Sequence, residues 1–392
     1  MDPKEQIIYL DNNATTPVDI RVLDAMLPFF TENFANSSSK HQFGSRAYEA
    51  VKIARTQVSG LIGADTNEII FTSGSTEAIN LAIKGVAENY FSKGKHIITV
   101  STEHSAVLET CKYLESKGNN ITYLKVNSDG LIDLSELKNA LTEETILVSV
   151  MLTNNETGVV QPIKEISEIT HSAGAVFMTD ATQAIGKIPV NVDELGIDMM
   201  CISGHKFYAP KGVGALYLRQ RTNRIKISPL LHGGGHERGL RSGTINVPGI
   251  VALGVACDLA RKEIGKNSQT VSDLRNYLEN ELLSIENTRI NGNKEFRMCN
   301  TTNICFQGVE SAALMSGLSY PEDEFPIIAV GNGSACRSSS IEPNHVLTAM
   351  GLNESDAFNS IRISLGKQNT RIEIEIAIAA IKSQVKKLRK SN

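Results

Sequence analysis

EIIFTSGSTEAINLAIKGVAENYF, residues 68–91, reads as a strand, a turn of small residues and a helix. Ile69, Ile70 and Phe71 form an apolar run too short for a helix and suited to a strand buried on both faces. Ser73, Gly74 and Ser75 interrupt it, and from Thr76 the apolar positions fall at helical spacing. The alternation continues to residue 219. HIITV (96–100), ITYLKV (121–126), ILVSVML (146–152), AVFMTD (175–180), DMMCIS (198–203) and GALYLR (214–219) read as strands. SAVLETCKYLESKG (105–118), LSELKNAL (134–141) and IKEISEITHSAG (163–174) read as helices. Short apolar strands separated by amphipathic helices predict an α/β fold with a mostly parallel central sheet.

After about residue 260 the order changes. A helix over about 270–284 leads to RING (289–292), followed by strands at TNICFQ (302–307), PIIAV (326–330) and SIRISL (360–365), with short helices near 310–318 and after Pro343. A last helix is expected over RIEIEIAIAAIKSQVKKL (371–388). The expected organisation is a large domain over 13–260 and a smaller α+β domain built from 1–12 and 261–392.

The bulk composition narrows the function classes. The 392 residues are 41% hydrophobic and carry a formal net charge of -4, so there is no basic excess to grip a phosphate backbone, and no direct nucleic-acid binding is expected. No apolar run approaches the roughly 18 residues of a membrane span. MDPKEQIIYL lacks the basic and apolar regions of a signal peptide, and the six cysteines form no C-x-x-C pair, which predicts a reducing cytoplasmic setting and no metal site. Cys336 stands apart from the other five. It lies in VGNGSACRSSS (330–340), among glycine and serine, where a packing role is implausible and a reactive thiol is the better reading.

Ligands of open α/β sheets bind beyond the carboxyl ends of the strands. Five successive ends here carry polar groups: TSGSTE (72–77), STEHS (101–105), TNNETG (153–158), ATQ (181–183) and GHKF (204–207). Ser75 and Thr76 open a helix whose free N–H groups suit a phosphate, although small hydroxyl residues are also ordinary caps. Asp180 closes an apolar strand and requires a cation or donors, which a pyridinium N–H would supply. Lys206 follows Ser203 and His205 at the next strand end, where a desolvated amine can act as a Schiff-base lysine. An aspartate at one strand end and a lysine at the next is what a pyridoxal phosphate site requires.

With these residues in place the chain resembles the cysteine desulfurases, class V aminotransferase-like enzymes of pyridoxal phosphate fold type I. The resemblance runs nearly end to end: YLDNNATTP (9–17), SGSTEAIN (73–80), EHSAVLETC (103–111), NNETGVVQPI (154–163), DATQAIGK (180–187), SGHKFYAPKGVGALY (203–217), HGGGHERGLRSGT (232–244), GSAC (333–336), EPNHVL (342–347) and SIRISLG (360–366). It implies that Lys206 holds the cofactor covalently and later moves a proton. Asp180 would pair with the ring nitrogen, His104 would stack on the ring, and Gln183 with Asn155 would contact its hydroxyl. Ser75, Thr76, Ser203 and His205 would hold the phosphate. Thr244 would reach the phosphate of a partner subunit, implying a homodimer with shared active sites. Arg362 and Asn155 would grip the substrate carboxylate of L-cysteine, and Cys336 would take its sulfur as a persulfide and deliver it to a protein acceptor.

GSAC with its serine-rich continuation resembles the long-loop class. Four features differ from the usual pattern: NSSSKH (36–41) lacks a turn proline, GSTEAIN has Ala78 and Ile79 where small and Asn residues are frequent, Arg337 follows the cysteine, and the chain closes on KKLRKSN without the longer tail that iron–sulfur scaffold donors use for docking. The expected acceptor is therefore open between an iron–sulfur scaffold, a tRNA thiolation enzyme and a DNA phosphorothioation enzyme. A selenocysteine lyase or other β-lyase, and a catalytically inactive subunit of a sulfur complex, are the competing readings. Cys336 argues against the first, and the intact Lys206, Asp180 and His104 argue against the second.

Overall fold

The computed structural model describes residues 7–321, 325–332 and 342–391. Twelve strands are found in these residues: β1 (Ile7–Tyr9), β2 (Ile69–Thr72), β3 (His96–Val100), β4 (Asn120–Leu124), β5 (Thr145–Ser149), β6 (Val176–Asp180), β7 (Met199–Ser203), β8 (Gly214–Leu218), β9 (Thr288–Ile290), β10 (Thr301–Phe306), β11 (Ile327–Ala329) and β12 (Ser360–Ser364). The large sheet has the order β2-β8-β7-β6-β5-β3-β4. Its pairings are parallel from β7 through β4, and β8 runs antiparallel to both of its neighbours.

The apolar runs explain the layering. Every residue of β3, β5, β6, β7 and β8 is buried, because helices cover both faces. Successive side chains alternate between the two covers: in β7, Met200 and Ile202 pack into one core while Met199 and Cys201 pack into the other. Only β4, at one edge, is partly exposed, and its sequence is correspondingly mixed.

A separate core gathers Ile8, Leu10, Leu278, Leu282, Ile304, Phe306, Leu314, Ile328, Ile361, Ile363, Ile374 and Ile381. It is built on the antiparallel sheet β12-β10-β9 and the parallel pair β1–β11. The helix expected over 270–284 is the end of one 37-residue helix, Val247–Leu283. Asn246 caps it by accepting from the Gly249 N–H at 3.1 Å. Its first turns bury Val247, Ile250, Leu253 and Cys257 in the large core, and its last turns bury Val271, Leu274, Leu278 and Leu282 in the other. The polar stretch KEIGKNSQ (262–269) carries no proline, so the helix continues through it partly exposed. Gly254 serves close approach rather than termination: a Cβ there would lie 2.6 Å from Ala54 Cα on the helix Gln42–Ile62.

Candidate active site

The turn after β2 forms the first wall of the site. Gly74 caps the helix Ser75–Asn89, and Thr72 Oγ1 donates to the Gly74 carbonyl at 3.0 Å, fixing the turn. The Ser73 N–H is taken by Glu77 Oε2 at 2.8 Å, and Glu77 is itself clamped by Arg241 Nε at 2.8 Å. The backbone of β8 passes close beneath: a Cβ on Gly214 would sit 2.7 Å from Gly74 Cα, and one on Gly74 would sit 3.5 Å from Ser203 Oγ. Ser75 and Thr76 open the helix, and Ser203 lies next to its Gly74 cap, so hydroxyls and N–H groups of the kind that bind an anion lie near one helix N-terminus.

His104 caps the helix Ser105–Glu115, its Nδ1 accepting from the Ala106 N–H at 3.1 Å. This bond leaves the ring fixed in orientation. Burial pushes its pKa below the usual range, with Asp180 opposing and Lys206 and His345 adding to the depression. Asp180 is buried at the end of β6 and accepts from the Thr182 N–H at 2.9 Å. Ser203 ends β7, and the single turn Gly204–Lys206 brings His205 and Lys206 after it. His205 Nδ1 lies 3.1 Å from Thr15 Oγ1, and burial with the neighbouring Lys206 charge brings its pKa down to about 4.

Asn13 ties the centre together. Its carbonyl accepts from Lys206 Nζ at 2.6 Å and from Gln183 Nε2 at 2.9 Å, and its Nδ2 donates to the Asn155 carbonyl at 3.0 Å. Lys206 Nζ also donates to the Ala14 carbonyl at 2.7 Å. Asn13 is buried and is held in turn by Thr301 Oγ1 at 2.9 Å and by Asn300 Nδ2 at 3.1 Å. The turn Asn13–Ala14 thus places the lysine amine beside Gln183 and Asn155. Lys187, whose pKa falls to about 7 through burial and the Lys206 charge, donates to Gln183 Oε1 at 2.8 Å.

Arg362 of β12 enters from the other core. It pairs with Asp11 Oδ1 at 2.8 Å and Glu156 Oε1 at 2.7 Å, and reaches the Asn155 carbonyl at 3.3 Å. Its backbone bridges to Gly331, at the end of the segment that leads to Cys336. Cys336 itself lies outside the described residues. Thr244 is exposed, and follows Gly243, which lines a pocket with Ser73 and Arg241.

The structure thus brings His104, Asn155, Asp180, Gln183, His205, Lys206 and Arg362 to one region. Sequence reasoning missed Asn13, Asp11 and Glu156. The first two lie in YLDNNATTP and the third in NNETG, so the motifs signalled the segments without revealing these contacts. It also missed Glu103, a fully buried carboxyl that accepts from the Met151 N–H and whose pKa burial raises well above the usual range.

The donor set fits a phosphorylated pyridine aldehyde: an anion cradle closed by glycines, a buried carboxylate, a ring-sized histidine and an amine. In keeping with that fit, residues 8–376 match the aminotransferase class-V family, and the chain belongs to that family, whose members depend on pyridoxal phosphate. Within it, the chain is similar to the cysteine desulfurase IscS of Histophilus somni (strain 2336), with 49% identity over 385 residues, 97% of this chain and 93% of that protein. Among solved structures, a NifS-like protein superposes with a TM-score of 0.89 at 39% identity, covering 97% of this chain and 99% of that one. SspA in complex with cysteine superposes with a TM-score of 0.80 at 37% identity, covering 92% and 99%.

Proposed function

We propose that this protein is a cysteine desulfurase: it removes the sulfur of L-cysteine, releases L-alanine and carries the sulfur on Cys336. The observation that supports this most is the Lys206 amine, held by the Asn13 and Ala14 carbonyls in a site that also contains Asp180 and His104. The solved neighbour SspA, described in complex with cysteine, supports the choice of substrate.

Pyridoxal phosphate, when bound, supplies an electron sink for the carbon next to the substrate carboxylate. Ser75, Thr76, Ser203 and His205 would hold its phosphate, Asp180 its ring nitrogen, Gln183 its hydroxyl and Lys206 its aldehyde carbon. Arg362 and Asn155 receive the amino-acid carboxylate, for which a guanidinium offers parallel charge-assisted hydrogen bonds. His104, kept neutral by burial, offers an uncharged ring face. The Lys206 Nζ accepts the proton from the substrate Cα.

The Cys336 thiolate attacks the substrate sulfur. A sulfur–sulfur bond forms, the carbon–sulfur bond breaks, and its electron pair stays on the carbon that is then protonated to alanine. L-Cysteine and an enzyme thiol thus become L-alanine and an enzyme persulfide, with no external oxidant. A protein acceptor then takes the sulfur. The resemblance to cysteine desulfurases supports a homodimer in which Thr244, exposed in this chain, completes the phosphate site of the other subunit.

The test is spectroscopic. Purified protein given pyridoxal phosphate should show a visible absorbance band that L-cysteine changes, and Lys206→Ala should lack that band. Protein that stays colourless with added cofactor would overturn the proposal.

A further inference from the structure

Asn155 and Arg362, the two residues assigned to the substrate carboxylate, already share an anion. Glu156 Oε1 accepts from Arg362 Nη1 at 2.7 Å and from Asn155 Nδ2 at 2.6 Å. Glu156 is 3% exposed, and among the described residues its other oxygen, Oε2, accepts no hydrogen bond. A second carboxylate, Asp11, holds Arg362 Nη2 at 2.8 Å.

The charge count matters here. One guanidinium faces two carboxylates, so an entering amino acid would bring a third into a largely buried space. Three carboxylates would then compete for the N–H groups of one guanidinium in a space that water reaches poorly. One of the resident carboxylates must yield. Exposure alone would let Asp11 go at less cost, since its side chain is 20% exposed and that of Glu156 4%, so the choice rests on which donors each carboxylate occupies. The Glu156 contact is the one that uses both substrate-binding donors.

We propose that Glu156 is a resident competitor for the substrate carboxylate. In the substrate-free protein it fills the anion position offered by Asn155 and Arg362, holding the two donors converged. On binding, the amino-acid carboxylate takes those hydrogen bonds from Oε1. Glu156 is a positioning residue that sets affinity for carboxylate-bearing ligands: an amine without a carboxylate does not compete with it for Asn155 and Arg362. This inference rests on the reading of the site as an amino-acid site.

Calorimetric titration of the cofactor-loaded protein with L-alanine tests it. A charged acceptor exchanged for a neutral one should tighten L-alanine binding about tenfold in Glu156→Gln, and lower KM for L-cysteine by a similar factor. The kcat should stay within about twofold, and the affinity for ethylamine, which lacks the carboxylate, should be unchanged, whereas a merely structural role would move both ligands together. Glu156→Val, which removes the acceptor, should act in the same direction and substitutes for the glutamine variant if that does not fold. Unchanged or weaker L-alanine binding in either folded variant overturns the proposal. Equal binding by the unaltered protein and Arg362→Ala would instead overturn the site assignment, and this inference with it.

Discussion

Replacing Gly214 by alanine should loosen the grip on the cofactor phosphate, because the added Cβ has nowhere to go. It would lie 2.4 Å from the Ile202 carbonyl oxygen, 2.7 Å from Gly74 Cα and 3.0 Å from the Gly74 carbonyl carbon. All three are backbone atoms, so no side-chain rotation relieves the overlap. Gly214 is paired with Thr72 on one side and Ser203 on the other, so β8 cannot retreat without breaking two ladders. The Ile202 backbone on β7 must shift, and the Gly74 turn must also give, by roughly 0.7 Å to restore ordinary carbon–carbon contact. That shift carries the first N–H groups of the helix Ser75–Asn89 with it and stretches a charge-assisted hydrogen bond towards its limit.

Losing one such bond costs about 1.5–3 kcal/mol, which is about ten- to a hundredfold in cofactor dissociation constant. Overpacking should also lower unfolding free energy by about 1–3 kcal/mol. Absorbance titration of cofactor-stripped protein measures the first, and urea unfolding the second. Gly265→Ala is the control: it lies in the helix Val247–Leu283 with nothing within 4 Å, and should gain about 0.5–1 kcal/mol without touching cofactor affinity. Cofactor affinity within twofold of the unaltered protein in Gly214→Ala would refute the reasoning.

Two further outcomes follow from the same geometry. Glu237 covers the open edge of the sheet: its carboxylate takes the Phe71 N–H at 2.8 Å and both Arg55 Nη atoms at 2.6 and 2.8 Å, from a left-handed backbone position at φ 48°. Glu237→Gln should therefore destabilise the fold by about 3–5 kcal/mol in urea unfolding, and an unshifted midpoint would contradict this. His205 titrates near 6.5 when unfolded and at about 4 when folded, so the unfolded chain takes its proton first. Its contribution to stability is present above pH 6.5 and is lost as the pH falls towards 4; His205→Gln should flatten that part of the stability profile.

Much of this was legible because the physics is local. A strand buried on both faces must be an apolar run, so β2, β3 and β5 to β8 stood out. Their polar ends pointed to His104, Asp180 and Lys206 for the same reason. The reversed direction of β8 was not legible, since a fully buried strand reads alike either way along a sheet. Nor were the roles of Asn13, Glu156 and Glu237. Each is a polar residue whose partners lie far along the chain: Asn13 meets Lys206 193 residues away, and Glu156 meets Arg362 206 residues away. Such contacts exist only once the fold has closed. The helix expected over about 270–284 begins at Val247, and its two ends are buried in different cores, a division that only the folded chain reveals.

The central claim is that sulfur leaves L-cysteine for Cys336. Mass spectrometry of the cofactor-loaded protein after brief exposure to L-cysteine addresses it directly, with alanine quantified in the same sample. The account predicts one added sulfur atom on the peptide bearing Cys336, one alanine released per sulfur gained, and neither in Cys336→Ser, which should still bind cofactor. Full alanine release from Cys336→Ser, or sulfur carried on another cysteine of the chain, would contradict it.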